Sequence, residues 1–166
     1  MYIFTTERLA FRPFQPDDLD DLARINGDAE TSEFVGDGTT LSRADTWTWI
    51  ENSRRNVAAF GYGTGAVVNR ESGRLIGWAG IARPGDGTEE VIYGFDRSCW
   101  GQGLGTELLA GLMGWARGTL GFAELRATVY ARNSASVAML VRQGFHLVED
   151  CYDGDPDCHL YVAHLE

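Results

Sequence analysis

Between residues 89 and 130 the chain runs through an alternating segment ending near Phe95 and then the glycine-punctuated turn Trp100-Gly101-Gln102-Gly103-Leu104-Gly105-Thr106. A long helical period and a second alternating segment follow. Leu104, Leu108, Leu112 and Trp115 fall at i, i+4, i+8 and i+11, one face of a helix. Leu125, Ala127 and Val129 alternate with Arg126, Thr128 and Tyr130, the pattern of a strand. Such a strand-helix-strand unit requires a crossover, which limits the sheet it can join. Its glycines let backbone approach a bulky ligand, and the helix start leaves amide hydrogens pointing at that ligand. That suits a phosphate-bearing cofactor, although an ordinary tight turn uses glycines in the same way.

The flanking segments supply the rest of a sheet. Residues 8–14 read as a strand with Leu9 and Phe11 on one face. A helix opens at Pro16, with Asp17 and Asp18 at its positive end and Leu19, Leu22, Ala23 and Ile25 as its apolar stripe, and Gly27 ends it. The loop 28–41 is a candidate substrate entrance. Ser42-Arg43-Ala44-Asp45 resembles a capping box for a second helix reaching toward Asn56 through Ala44, Trp47, Trp49, Ile50 and Ser53. The two tryptophans, two residues apart, cannot share one face of it. Strands over 59–69, 74–83 and 89–95 with short turns between them make an antiparallel meander.

Beyond the glycine turn, Gly121 is placed to end the long helix, and Gly111, Gly114 and Gly118 mark close packing of that helix on the sheet. Asn133 or Ser134 caps a further helix ending at Gly144, and strands over 145–152 and 158–164 close the chain. The expectation is a single domain over residues 1–166, of the α/β class, with a mixed sheet and helices on both sides.

Composition narrows the function. With 44% hydrophobic and 23% charged residues the chain has the balance of a soluble globular protein, and no apolar run approaches the roughly 18 residues of a membrane span. The start, Met1-Tyr2-Ile3-Phe4-Thr5-Thr6, lacks the features of a signal peptide, so a cytoplasmic location is expected, without a membrane partner. A net charge of −10 argues against sequence-independent nucleic-acid binding and is compatible with a cationic substrate or with solubility alone. Cys99, Cys151 and Cys158 form no Cys-x-x-Cys pair, and Cys151, Cys158, His159 and His164 fit no zinc spacing, so no metal is expected.

A dinucleotide fingerprint fails because Thr106 stands where the third glycine is needed and no acidic residue ends the next strand. A Walker loop fails because no Gly-Lys-Ser or Gly-Lys-Thr occurs. Two landmarks in register fit better. The turn 100–105 opens one helix, and after one strand Asn133-Ser134-Ala135-Ser136 opens another that ends Arg142-Gln143-Gly144-Phe145. This order resembles the GCN5-related N-acetyltransferase superfamily over essentially the whole chain. Thr6-Glu7-Arg8-Leu9, Arg12-Pro13, Glu90-Val91-Ile92-Tyr93 and Trp100-Gly101-Gln102-Gly103 resemble the branch that acetylates ribosomal-protein N-termini.

The resemblance implies a mostly antiparallel sheet splayed at one parallel pair. Acetyl-CoA would lie in the splay, its pantetheine along the strand ending at Phe95 and its pyrophosphate on the amides of Gln102, Gly103, Leu104, Gly105 and Thr106. Arg97 and Arg142 are further phosphate candidates, or surface charges. A backbone amide near Phe95 would stabilise the oxyanion. Glu90 is the candidate base, with Glu89 its rival, since strict alternation lets only one of them face the cleft. The superfamily's tyrosine acid falls here at Leu140. The branch instead implies Ser136, as a hydrogen-bond donor to the thiolate, with Asn133 orienting it or the pantetheine; helix capping is the other role open to Asn133. Tyr130 and Tyr152 are fallback acids, Trp100 a packing residue beneath the turn, and Phe34, Trp47 and Tyr93 candidate walls of the acceptor site. The acceptor is a primary amine: a protein N-terminus, or a polyamine, aminoglycoside or other small cationic amine. A non-catalytic acyl-CoA-binding domain is the reading from another class, and an exposed edge near the C-terminus could pair two copies into a homodimer.

Overall fold

In a computed structural model describing residues 1–166, the strands fall into two sheets that part at the crossover. The first has the order β1 (Phe4–Thr5), β2 (Leu9–Pro13), β3 (Thr64–Asn69), β4 (Leu75–Ala82) and β5 (Glu90–Phe95), every neighbouring pair antiparallel. In the second, β8 (Cys158–His164) lies between β6 (Glu124–Tyr130) and β7 (His146–Glu149), again antiparallel throughout. The helix joining β5 to β6 spans Leu104–Gly118, and those two strands share no ladder.

Alternation along β2 divides the core. Leu9 and Phe11 face one side, where Val67, Ile81 and Val91 join them against Leu108, Leu109, Leu112 and Trp115 of the crossover helix and Leu125, Ala127 and Val129 of β6. Each of those leucines contributes about 2 kcal/mol by leaving water. Ala10 and Phe14 face the other side, with Ala66, Val68 and Trp78. There α1 (Leu19–Asn26) supplies Leu22 and Ile25, and Ile50 comes from a helix over Arg43–Phe60. Helices therefore cover both faces.

Local chemistry explains most boundaries. A 3-10 turn over Pro16–Asp18 precedes α1, and the buried Asp18 carboxylate accepts from the Gln15 amide at 2.7 Å and takes the Arg12 fork at 2.8 and 2.9 Å. The loop 28–41 holds an unexpected short helix, α2 (Ala29–Ser32), capped by the Asp28 carboxylate. The helix after it, α3 (Arg43–Phe60), is capped by Ser42, which accepts from the Asp45 amide at 3.0 Å. It runs past Asn56 to Gly61, whose φ of +82° stops it, so residues 59–63 are not strand.

Its buried stripe is Thr46, Ile50 and Ser53, and Ala44 is exposed. Trp47 and Trp49 flank that stripe, both partly buried, and Trp49 stands edge-on to Phe14 and Trp78. The crossover helix, α4 (Leu104–Gly118), ends three residues before Gly121. Of its glycines only Gly111 is pressed against the sheet, because a Cβ there would lie 2.5 Å from the Phe4 ring; Gly114 and Gly118 face open space. A last helix, α5 (Ser134–Arg142), precedes β7, which is shorter than expected because residues 150–157 fold into turns with a Tyr152–Asp155 bridge. No helix is long and apolar enough to cross a membrane, and no three His, Cys, Asp or Glu side chains gather as a metal site.

Candidate active site

The unpaired flank of β5 is where the site begins. The Asp96 amide donates to Ile76, at the edge of β4, so by strand alternation the amides and carbonyls of Val91, Tyr93 and Phe95 point away from β4 and into the splay. The indole Nε1 of Trp100 donates to the Phe95 carbonyl at 3.1 Å. Trp100 is thus not a residue packed beneath the turn: it is 49% exposed and closes the end of the splay through a polar contact.

Two side-chain bridges span the splay, one on each face. Glu90 and Tyr93 are three residues apart on β5 and so point to opposite sides. On one side the Thr128 hydroxyl of β6 donates to Glu90 Oε2 at 2.7 Å, and Arg83 lies 3.4 Å from Oε1. The Glu90 side chain is only 12% exposed. Glu89 is turned away, accepting from the Gly87 amide of the hairpin at 2.9 Å. Arg83 itself adopts φ +54°, which aims its side chain back across the hairpin, where it also holds Thr88.

On the other side the Tyr93 hydroxyl lies 2.8 Å from Ser136 Oγ at the start of α5. Burial pushes the Tyr93 phenol above its ordinary pKa, partly offset by the bond to Ser136. Tyr93 therefore does not line the acceptor face with Trp47; it stands behind the serine. Asn133 is the N-cap of α5, its carboxamide oxygen accepting from the Ser136 amide at 3.4 Å, which fixes the first turn and with it the serine. Leu140, at the superfamily's tyrosine position, is buried. The Tyr130 hydroxyl donates to the Gly36 carbonyl, and Tyr152 accepts from Arg126 at 3.1 Å, so both fallback acids have other partners.

The glycine turn sits at the open end. Gly101 and Gly103 both take φ +77°, which a side chain would resist. Gly103 is the N-cap of α4 and no side chain caps that helix, leaving the amides of Leu104, Gly105 and Thr106 as anion donors at the positive end of its dipole. Gly105 allows α5 to approach, because a Cβ there would lie 3.1 Å from Met139 Sδ.

The turn is held from behind by residues near the chain start. Thr6 Oγ1, the Arg8 amide and Arg8 Nε all donate to the Glu107 carboxylate, at 2.6, 2.7 and 2.7 Å, while Arg8 Nη1 donates to the Gln102 carbonyl at 2.9 Å. Arg97 is ion-paired with Asp28 and Glu30. Arg142 is exposed at the far end of α5.

Phe34 and Trp47 do not meet in a common wall. Phe34 packs beside Arg132, whose guanidinium lies 5.7 Å from its ring, whereas Trp47 belongs to the second core. Sequence reasoning did not find Thr128, Arg83, Glu107 or Arg132. Thr128 carried a usable signal, since it lies on the polar face of a strand bordering the splay. Glu107 meets Thr6 and Arg8 about a hundred residues away, and Arg132 meets Phe34 across the chain, whereas the contacts of Arg83 with Thr88 and Glu90 depend on the shape of the hairpin.

Free strand amides beside an uncapped helix start form an α/β cleft suited to an extended, phosphate-bearing carrier, and relatives of this architecture transfer acyl groups. A family model described as an acetyltransferase (GNAT) domain matches residues 8–146. The chain is 32% identical over 123 residues to N-alpha-acetyltransferase RimI of Mycobacterium tuberculosis, covering 72% of this chain and 69% of that one. Among solved structures it is similar to an acetyltransferase of Agrobacterium tumefaciens, with TM-score 0.83, 28% identity, and 97% and 93% of the two chains covered. It is also similar in fold to RimL, a ribosomal L7/L12 alpha-N-protein acetyltransferase in complex with coenzyme A, with TM-score 0.83, 17% identity, and 99% and 98% covered. The chain belongs to the GNAT acetyltransferase family and is an acetyl-CoA-dependent acyltransferase.

Proposed function

We propose that the enzyme acetylates the α-amine of a protein N-terminus by direct attack on acetyl-CoA in a ternary complex. The observation that carries this reading is the pair of bridges across the splay, which places Glu90 and Ser136 on its two faces. Glu90, held by Thr128 and Arg83, takes the proton from the attacking amine directly or through one water. The amides of Tyr93 and Phe95, unused by the sheet, receive the oxyanion as the N–C bond forms. The C–S bond then breaks, and the Ser136 hydroxyl donates a hydrogen bond to the departing thiolate while accepting one from the Tyr93 phenol, and the thiolate takes its proton from water as it leaves. The amides of residues 102–106 hold the pyrophosphate, kept in place by Arg8 and Glu107. The RimI and RimL relatives, both described as acting on α-amines, support an N-terminal acceptor. The net charge of −10 favours a small cationic amine as the second reading.

Thiol release from acetyl-CoA, measured across N-terminal peptides, polyamines and aminoglycosides, separates the two readings. The chain contains no lysine, so none of its own competes as acceptor. Glu90→Gln and Ser136→Ala are each expected to lower kcat by about 10²-fold while CoA affinity stays within about twofold. Unchanged rates in both variants would remove the assigned roles, and turnover of small amines alone would remove the N-terminal acceptor.

A further inference from the structure

Arg132 is the unusual cation of this surface. Its guanidinium lies 5.3 Å from the Tyr130 ring and 5.7 Å from the Phe34 ring, held between two aromatic side chains. Stacking of this kind fixes the guanidinium plane while leaving its N–H fork directed outward. It has no ion pair and no hydrogen bond, although the chain carries ten more acidic than basic residues. Of the carboxylates in the adjacent loop, Asp28 and Glu30 pair with Arg97 and Asp37 accepts from Thr39, while Glu33, next to Phe34, is exposed and makes no ion pair with Arg132. The loop is pinned to β6, because the Tyr130 hydroxyl donates to the Gly36 carbonyl.

This cation lies on the side of the splay that holds Glu90. Thr128 and Tyr130 are two residues apart on β6 and share a face, about 7 Å from one to the other. Thr128 bonds Glu90, and Arg132 stands over Tyr130, so the guanidinium is on the order of 10 Å from the base. An extended peptide advances about 3.5 Å per residue. The side-chain carboxylate of its third residue therefore reaches the fork when its α-amine is at Glu90. The α-carboxylate of a free amino acid, one residue from its amine, falls short.

We infer that Arg132 selects the acceptor, an N-terminus with an Asp or Glu side chain at its third residue, through a charge-assisted pair to the guanidinium held by Phe34 and Tyr130. The assignment rests on the N-terminal reading above and adds its sequence preference.

The test compares kcat/KM for peptides identical except for Glu, Gln or Lys at the third position, with wild type and Arg132→Met. Wild type is expected to prefer Glu over Gln by about tenfold and over Lys by more. In Arg132→Met the Glu-to-Gln ratio is expected to fall to about one. Arg132→Glu, a second variant, is expected to favour the Lys peptide. Equal kcat/KM across the three peptides in wild type, or an undiminished Glu preference in Arg132→Met, refutes the role of Arg132 and leaves N-terminal acetylation standing. Absence of turnover with every peptide, beside turnover of a polyamine, refutes the N-terminal reading and this inference with it.

Discussion

Removing the Glu107 carboxylate tests the link between the start of the chain and the glycine turn. Glu107 is 16% exposed and receives three donors, the Thr6 hydroxyl and the Arg8 amide and Nε, whereas Arg8 is 46% exposed. Hydrogen bonds to a charged group contribute about 1.5–3 kcal/mol each when shielded, and the solvated Arg8 pair contributes at most about 1 kcal/mol. Because the three share one carboxylate they do not add, so Glu107→Ala is expected to cost about 2–3 kcal/mol. For a domain of this size that lowers Tm by about 5–10 °C. Glu107→Gln keeps an acceptor for Thr6 and the Arg8 amide and is expected to cost about 1 kcal/mol.

The same carboxylate predicts a pH dependence. Burial favours the neutral Glu107 carboxyl, but hydrogen bonds from Thr6 and Arg8 outweigh burial and hold its pKa below the ordinary value. A depressed folded pKa gives stability that is fully present above the unfolded value of about 4.3 and is lost as pH falls through the folded one. The difference in Tm between wild type and Glu107→Gln should therefore be constant at neutral pH and shrink below about pH 4. Thermal unfolding by circular dichroism reads both quantities, and calorimetric titration with CoA reads the third, a severalfold weaker affinity in Glu107→Ala as Arg8 loses its hold on Gln102. A Glu107→Ala protein with unchanged Tm and unchanged CoA affinity would refute the coupling.

Thr128→Val keeps shape and removes the donor to Glu90, so kcat is expected to fall about tenfold with KM for acetyl-CoA unchanged, and Thr128→Ser to restore it; a fall in Thr128→Ser equal to that in Thr128→Val would discount the hydroxyl. On α4, Gly111→Ala puts a methyl 2.5 Å from the Phe4 ring and is expected to destabilise by about 1–2 kcal/mol, whereas Gly114→Ala meets open space and should stabilise by up to about 1 kcal/mol. Denaturant midpoints compare the two, and effects of the same sign would contradict the packing described for that helix.

Periodic signals were legible wherever burial is one-sided. Leu104, Leu108, Leu112 and Trp115 are all buried as their spacing requires, and Leu125, Ala127 and Val129 line the core face of β6. Ser42 and Asn133 cap helices because an oxygen on a short side chain reaches the orphan amides. The two-residue β1 and four-residue α2 escaped because each spans only about one period, too little for a pattern to repeat. At the site, Glu90, Ser136 and the turn could be named from order and residue type. The position of Tyr93 behind Ser136 could not, since it depends on where α5 crosses β5. The Arg8–Glu107 contact joins residues 99 apart, and spacing carries no information at that range.

Two sheet edges normally have to be defended from the outside, with charges, prolines or short strands, because an open row of amides recruits other chains. Here β5 and β6 present such edges to each other inside one molecule, joined by Glu90–Thr128 rather than by a ladder, with Tyr93–Ser136 tying β5 to the start of α5. Neither edge is open to a foreign strand, so the fold keeps strand-binding capacity without the usual risk of aggregation. Substitutions that widen the gap should therefore be read out first as self-association, before any loss of fold.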